Sequence, residues 1–142
     1  MRRTVVLLVV AGLLVGAGLT PATAGKKKKR KVTEEYSFSA PVPNPNMSGC
    51  NQMGVEDLQY QTAAFSTPGK GVLDLVLENF QVDWDLFVLD SSGNVIGSSK
   101  SDNMAAAIER VVLPVAGKED LTILACNWAG GPTATATLTY TY

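Results

Sequence analysis

The sequence predicts a small all-β domain, a single antiparallel two-sheet β-sandwich of seven or eight short strands, delivered by an export signal. Three observations predict it. Apolar and polar residues alternate over many short runs. Turn residues punctuate those runs at a spacing of roughly 8 to 12 residues. No helical periodicity lasts long enough to compete. At 142 residues the chain has room for one domain.

Residues 1–24 read as a secretory signal peptide. Arg2 and Arg3 precede an apolar run over 5–19, and Ala22-Thr23-Ala24 is a small-x-small cleavage site. The run is short of the ~20 residues that span a bilayer as a helix. The basic residues that follow it would also favour keeping that side in the cytoplasm. Cleavage before Gly25 is therefore expected, leaving no membrane span and a secreted, extracellular or cell-wall-associated protein.

Residues 25–31 form a polybasic leader: Lys26, Lys27, Lys28, Lys29, Arg30 and Lys31. Such a run cannot bury itself and is expected to be disordered. It reads as a solvated leader, as a polyanion-binding tail for wall polymer or lipid head groups, or as a tail folding back on its own domain. The domain itself, 32–142, is anionic. Its basic residues are Lys70, Lys100, Arg110 and Lys118, four against 13 acidic ones, for a net of −9.

The strands follow in order. TEEYSFSA over 33–40 alternates Tyr36 and Phe38 with polar neighbours, and Pro41, Pro43 and Pro45 break it. LQYQTAAF over 58–65 places Leu58, Tyr60 and Thr62 on one face, closed by Thr67-Pro68-Gly69-Lys70-Gly71. Over 72–78, Leu73, Leu75 and Leu77 share the buried face of a half-exposed strand. Over 84–89 both faces are apolar, which predicts a more central strand. A hairpin turn at Ser91-Ser92-Gly93-Asn94 leads to a third short strand. AIERVVL over 107–113 is next, ended by Pro114; residues 104–108 could instead form a helical turn. The strand over 121–127 puts Leu124, Cys126 and Trp128 on one side. The last, TATATLTYTY, lines Thr133, Thr135, Thr137, Thr139 and Thr141 on one face, read as the polar outer face of an edge strand. Its other face, from Ala134 to Tyr142, is expected to be buried.

Two cysteines remain after export, Cys50 and Cys126, and an oxidising space makes one intramolecular disulfide the default. Closing a loop of that length stabilises a fold by roughly 4 kcal/mol on the chain-entropy model.

The central part of the chain resembles the bacterial pre-peptidase C-terminal domain. The resemblance rests on Gly71-Val72-Leu73-Asp74-Leu75, Asp83-Trp84-Asp85-Leu86-Phe87-Val88-Leu89-Asp90, Ser92-Gly93-Asn94-Val95-Ile96-Gly97-Ser98-Ser99 and Glu109-Arg110-Val111-Val112-Leu113. It implies a jelly-roll-like sandwich that is not itself catalytic. It also implies a module sometimes bound to calcium and sometimes to matrix protein or polysaccharide. This sequence carries no protease domain ahead of the module, so a free-standing accessory role is expected.

Composition argues against an enzyme. The chain has no histidine, so it lacks the usual general base and any imidazole metal ligand. A carboxylate-based hydrolase built on Asp83 and Asp85, two apart on a strand, is the remote alternative. Calcium would take oxygen ligands such as Asp83, Asp85 and Asp102, with Asp90, Asn94 and Asn103 nearby, although the spacing is not that of a calcium loop. No cofactor is required. Trp128, before a Gly-rich turn, could stack on a sugar or peptide or pack over the disulfide. Tyr140 and Tyr142 could stay partly exposed and touch a ligand.

The sequence-level reading is a secreted, non-catalytic binding or accessory module at the cell surface or in the extracellular matrix. Its expected partners are an anionic surface polymer, polysaccharide or matrix protein. A calcium-stabilised structural or protease-associated domain without its own ligand is the alternative. Nucleic acid is not an expected partner, and the protein is expected to be a monomer.

Overall fold

The pattern of alternation becomes eight antiparallel strands in a computed structural model, which describes residues 28–43, 56–100 and 108–142. In chain order they are β1 (Lys31–Ser39), β2 (Tyr60–Ser66), β3 (Gly71–Glu78), β4 (Trp84–Leu89), β5 (Val95–Ser99), β6 (Glu109–Val115), β7 (Asp120–Asn127) and β8 (Thr133–Thr141). One sheet has the order β1-β8-β3-β6 and the other β2-β7-β4-β5. The pairs β1/β8, β2/β7, β3/β6 and β4/β5 make one long antiparallel ribbon folded over on itself, the strand order of a jelly roll.

The ribbon's tip is the β4–β5 hairpin, and Asp90 closes it. Its Oδ1 accepts from the backbone N–H of Ser92 at 2.8 Å and of Asn94 at 2.9 Å. Asn94 Nδ2 donates to Asp90 Oδ2 at 3.1 Å, and Gly93 takes φ +81, which a residue without Cβ adopts freely. Bonding to Asn94 holds the Asp90 carboxyl below its ordinary range. The Asp90 carboxylate and the Asn94 amide nitrogen are therefore both engaged in the turn.

The core lies between the sheets. Leu73, Leu75 and Leu77 of β3, with Ala136, Leu138 and Tyr140 of β8, face Trp84, Leu86 and Val88 of β4 and Leu121, Ile123 and Ala125 of β7. Burying each large apolar side chain contributes about 1.5–3 kcal/mol. The sides of the sandwich are tied as well. Ser39 N donates to Gln61 Oε1 at 2.6 Å between β1 and β2. Between β5 and β6, Arg110 N donates to Ser99 Oγ at 3.2 Å, and Ser99 Oγ donates to the buried Glu109 carboxylate.

Several expectations change. β1 begins at Lys31, inside the expected leader, and Arg30 also exchanges backbone bonds with Tyr142, because β8 offers ladder partners that far. β8 is an interior strand, so the threonine face is the outer surface of a sheet centre rather than of an edge. In β2 the core face carries Ala63 and Phe65, while Tyr60 joins a second apolar cluster of Phe87, Leu89, Leu124 and Cys126 on the outer face of the other sheet. Pro114 does not end its strand. β6 is an edge strand, where a missing N–H costs no ladder bond, and it runs on to Val115. The helical alternative over 104–108 falls mostly outside the described residues; Ile108 is exposed and directly precedes β6.

Candidate functional site

The site with the most to offer a ligand is built where the ribbon's two ends meet. β1 and β8 pair from Ser39↔Thr133 to Lys31↔Thr141. Arg30 N then donates to Tyr142 O at 2.7 Å and Tyr142 N to Arg30 O at 2.9 Å. This extra rung fixes the basic segment beside the Tyr142 ring.

Two turns complete the same end. Tyr140 is buried, and its hydroxyl donates to Gly69 O at 2.5 Å, which pins the β2–β3 turn that carries Lys70. Burial pushes the Tyr140 phenol above its ordinary value. Gly71 lies against that ring: an added Cβ would come 2.5 Å from Thr141 O and 2.7 Å from Tyr140 Cε1, so the sequence needs glycine there. Thr67 ties this turn to the β6–β7 turn, donating to Gly117 O at 2.8 Å and accepting from Glu119 N at 2.8 Å.

Between these parts lies an open groove of about 550 Å³, lined by Lys29, Lys70, Gly71, Val72, Pro114, Val115, Ala116, Thr141 and Tyr142. A second depression, lined by Lys28, Lys29, Arg30 and Tyr142, adjoins it. The floor is apolar and no lining residue is acidic. Val72 is 45 % exposed, and the Tyr142 ring packs at a tilt on Tyr140, centroids 6.0 Å apart, while staying half-exposed.

Further along the same outer sheet face, Arg110 clamps Asp74, with Nε to Oδ1 at 2.8 Å and Nη2 to Oδ2 at 2.6 Å. That clamp, with Lys31 nearby, holds the Asp74 carboxyl below its ordinary range. Arg110 is thus engaged by a carboxylate, and Lys100 lies over the Phe87 ring at 5.0 Å. Lys70 is placed differently, on the groove's rim.

The other sequence-derived candidates scatter. Tyr140, expected to touch a ligand, is a core residue that positions Lys70, because alternation along β8 turns it inward. Tyr142 does line the groove. Trp128 is half-buried beyond the other end of β8, and nine residues at ~3.3 Å each put about 30 Å between the two. Trp128 and Tyr142 therefore do not share a ligand site. Asp83 and Asp85 sit at the Trp128 end, 7 % and 8 % exposed and engaged by neighbours. Asp102 lies outside the described residues. Among the described residues no three of His, Cys, Asp and Glu come together to hold a metal ion. Cys126 is buried in the second apolar cluster, and no described cysteine is a free thiol. Cys50, Lys26, Lys27 and the segment expected to be a signal peptide lie outside the described residues.

Lys70, Val72 and Pro114 were not legible as site residues. Each reads locally as turn or strand chemistry, and only the fold brings them together.

No protein-family model matches the chain, and no curated protein matches it in sequence. Among solved structures it is similar to a periplasmic inhibitor of g-type lysozyme from Aeromonas hydrophila, with 10 % identity and a TM-score of 0.42, over 82 % of this chain and 90 % of that one. It is also similar to the VP2 subviral particle of infectious bursal disease virus, with 16 % identity and a TM-score of 0.40, over 87 % of this chain and 36 % of that one.

Proposed function

We propose that this chain is an exported, non-catalytic binding module that attaches to an anionic polymer of a cell surface or extracellular matrix through the basic end of its sandwich. The observation that carries the reading is the Arg30–Tyr142 rung, which joins Arg30 to β8 beside the depressions that Lys28 and Lys29 also line. The domain behind them carries −9, from four basic and 13 acidic residues after position 31. A polyanion is repelled over most of that surface and attracted at one end, which orients the complex and makes binding weaken with salt. The reading accommodates the resemblance to the pre-peptidase C-terminal domain, which implies a non-catalytic accessory role.

We further propose that Cys126 pairs with Cys50. The bridge would tether the connection containing Cys50 to the outer face of the β2-β7-β4-β5 sheet, where Cys126 is buried. Such a loop closure stabilises by roughly 4 kcal/mol.

The function is tested by co-sedimentation of the exported chain with cell-wall material, insoluble polysaccharide and collagen, at low and high salt. The comparison protein carries Lys28→Ser, Lys29→Ser and Arg30→Ser, which keep the backbone rung. Binding at low salt that the triple variant loses supports the reading. Binding that the triple variant retains in full overturns it.

A further inference from the structure

The groove beside Tyr142 offers two kinds of surface side by side, and a ligand that uses both must have two matching kinds of group. Val72, Pro114 and the exposed part of the Tyr142 ring make a floor without a charged group. Lys29 and Lys70 stand on its rim, and Lys28 and Arg30 continue the positive charge past Tyr142. A ringless polyanion would satisfy the cations and leave the floor idle. A neutral sugar chain would use the floor and leave the cations idle.

We infer that the groove is a subsite for an acidic sugar polymer, with the C–H face of one sugar ring laid on Tyr142 and Val72 and its carboxylates or sulfates reaching Lys29 and Lys70. An aromatic ring with one wet face suits a partner that is apolar on one side and hydroxylated on the other. Lysine ammonium groups meet single anionic oxygens without demanding the planar pairing that arginine favours. The two depressions share Lys29 and Tyr142, so a chain lying in one continues into the other. The acidic remainder of the domain discourages the same polymer elsewhere. This inference rests on the proposed attachment to anionic polymer and names its chemistry.

The test is a titration of the intact exported chain with polygalacturonate, dextran sulfate, polyphosphate and neutral dextran, at low and high salt. Both acidic sugar polymers are expected to bind, polyphosphate more weakly and dextran not measurably. Tyr142→Ala should weaken binding of the sugar polymers roughly tenfold and leave polyphosphate unchanged. Because that ring also packs on Tyr140, Val72→Glu serves as the second variant: it sets a carboxylate on the exposed floor, away from the core, and should abolish sugar-polymer binding. Lys29→Ala with Lys70→Ala should lower the slope of log affinity against log salt by about one to two. If polyphosphate binds as tightly as polygalacturonate, and neither Tyr142→Ala nor Val72→Glu changes the sugar affinity, the sugar subsite is overturned while attachment to anionic polymer stands. If no anionic polymer binds, both are overturned.

Discussion

Replacing Asn127 tests how the end of the sandwich opposite the groove is held together. Asn127 is fully buried at the end of β7. Its Nδ2 donates to Ala40 O at 2.7 Å, just past β1, and to Gly131 O at 3.1 Å in the loop before β8; Gly130 O shares the donor at 3.3 Å. Its Oδ1 accepts from Gly130 N at 2.6 Å. An amide nitrogen has two hydrogens, so three full bonds are at stake, two given and one received. At about 1 kcal/mol each, Asn127→Ala should cost about 3 kcal/mol. For a domain of this size that lowers Tm by on the order of 10–20 °C, measured by thermal unfolding followed by circular dichroism. Asn127→Asp keeps the shape but points a carboxylate at carbonyl oxygens. Burial and those neighbours raise its folded pKa above the unfolded ~3.9, so its penalty grows with pH by at most about 1.4 kcal/mol per unit and shrinks on acidification. Relative to wild type, Asn127→Asp should recover toward pH 4 and Asn127→Ala should not. An Asn127→Ala protein that melts within about 2 °C of wild type would refute the reasoning, since a loss below ~0.5 kcal/mol cannot accommodate three broken bonds.

Gly71→Ala should destabilise the domain by about 1–3 kcal/mol, because the added methyl meets backbone at Thr141 and the packed Tyr140 ring, and denaturant titration would show it as a lower midpoint. Val82→Gly should leave Tm within a few degrees of wild type: at φ 70 glycine relieves about 1–2 kcal/mol of left-handed strain, which offsets its roughly 0.5–1 kcal/mol entropic cost and the roughly 1 kcal/mol of burial lost from a side chain 47 % exposed, and a Tm drop beyond ~10 °C in thermal unfolding would count against that strain. Stability should fall on acidification below about pH 4, because Asp74 and Asp90 have depressed folded pKa values and their contribution, present above the unfolded value, is lost as pH drops through the folded one. It should also fall above about pH 10: burial and the Glu34 carboxylate raise the Tyr36 phenol, burial raises Tyr140, and the unfolded chain ionises first. In a chain carrying Tyr60→Phe and Tyr142→Phe, which leaves Tyr36 and Tyr140 as its tyrosines, unfolding and tyrosinate absorbance should therefore rise together, and tyrosinate forming in that chain while it stays folded would count against the burial of these phenols.

Much of the strand content was legible because the alternation has period two and the sheets bury one face cleanly. Leu73, Leu75 and Leu77, and the Ala-Ala-Leu-Tyr face of β8, point inward as their pattern requires. Legibility failed in β2, where Tyr60 and Phe65 lie on opposite faces and both meet apolar neighbours. With two covered faces, alternation no longer says which is the core. It failed at Pro114 too, since a proline ends an interior strand but not an edge one, and strand order is not a local property.

The sequence alone determined that the chain is β throughout its described elements, where its turns fall, and that positive charge concentrates before position 32 while negative charge concentrates after it. Those features depend on residues near one another along the chain. The tertiary structure alone decided that β1 lies against β8, and so that Lys29 meets Tyr142, Lys70 and Pro114 around one groove. The physical reason is the roll of the ribbon. Pairing the first strand with the last joins residues more than a hundred positions apart, and that choice is made by burial of the whole core rather than by any segment's own propensity.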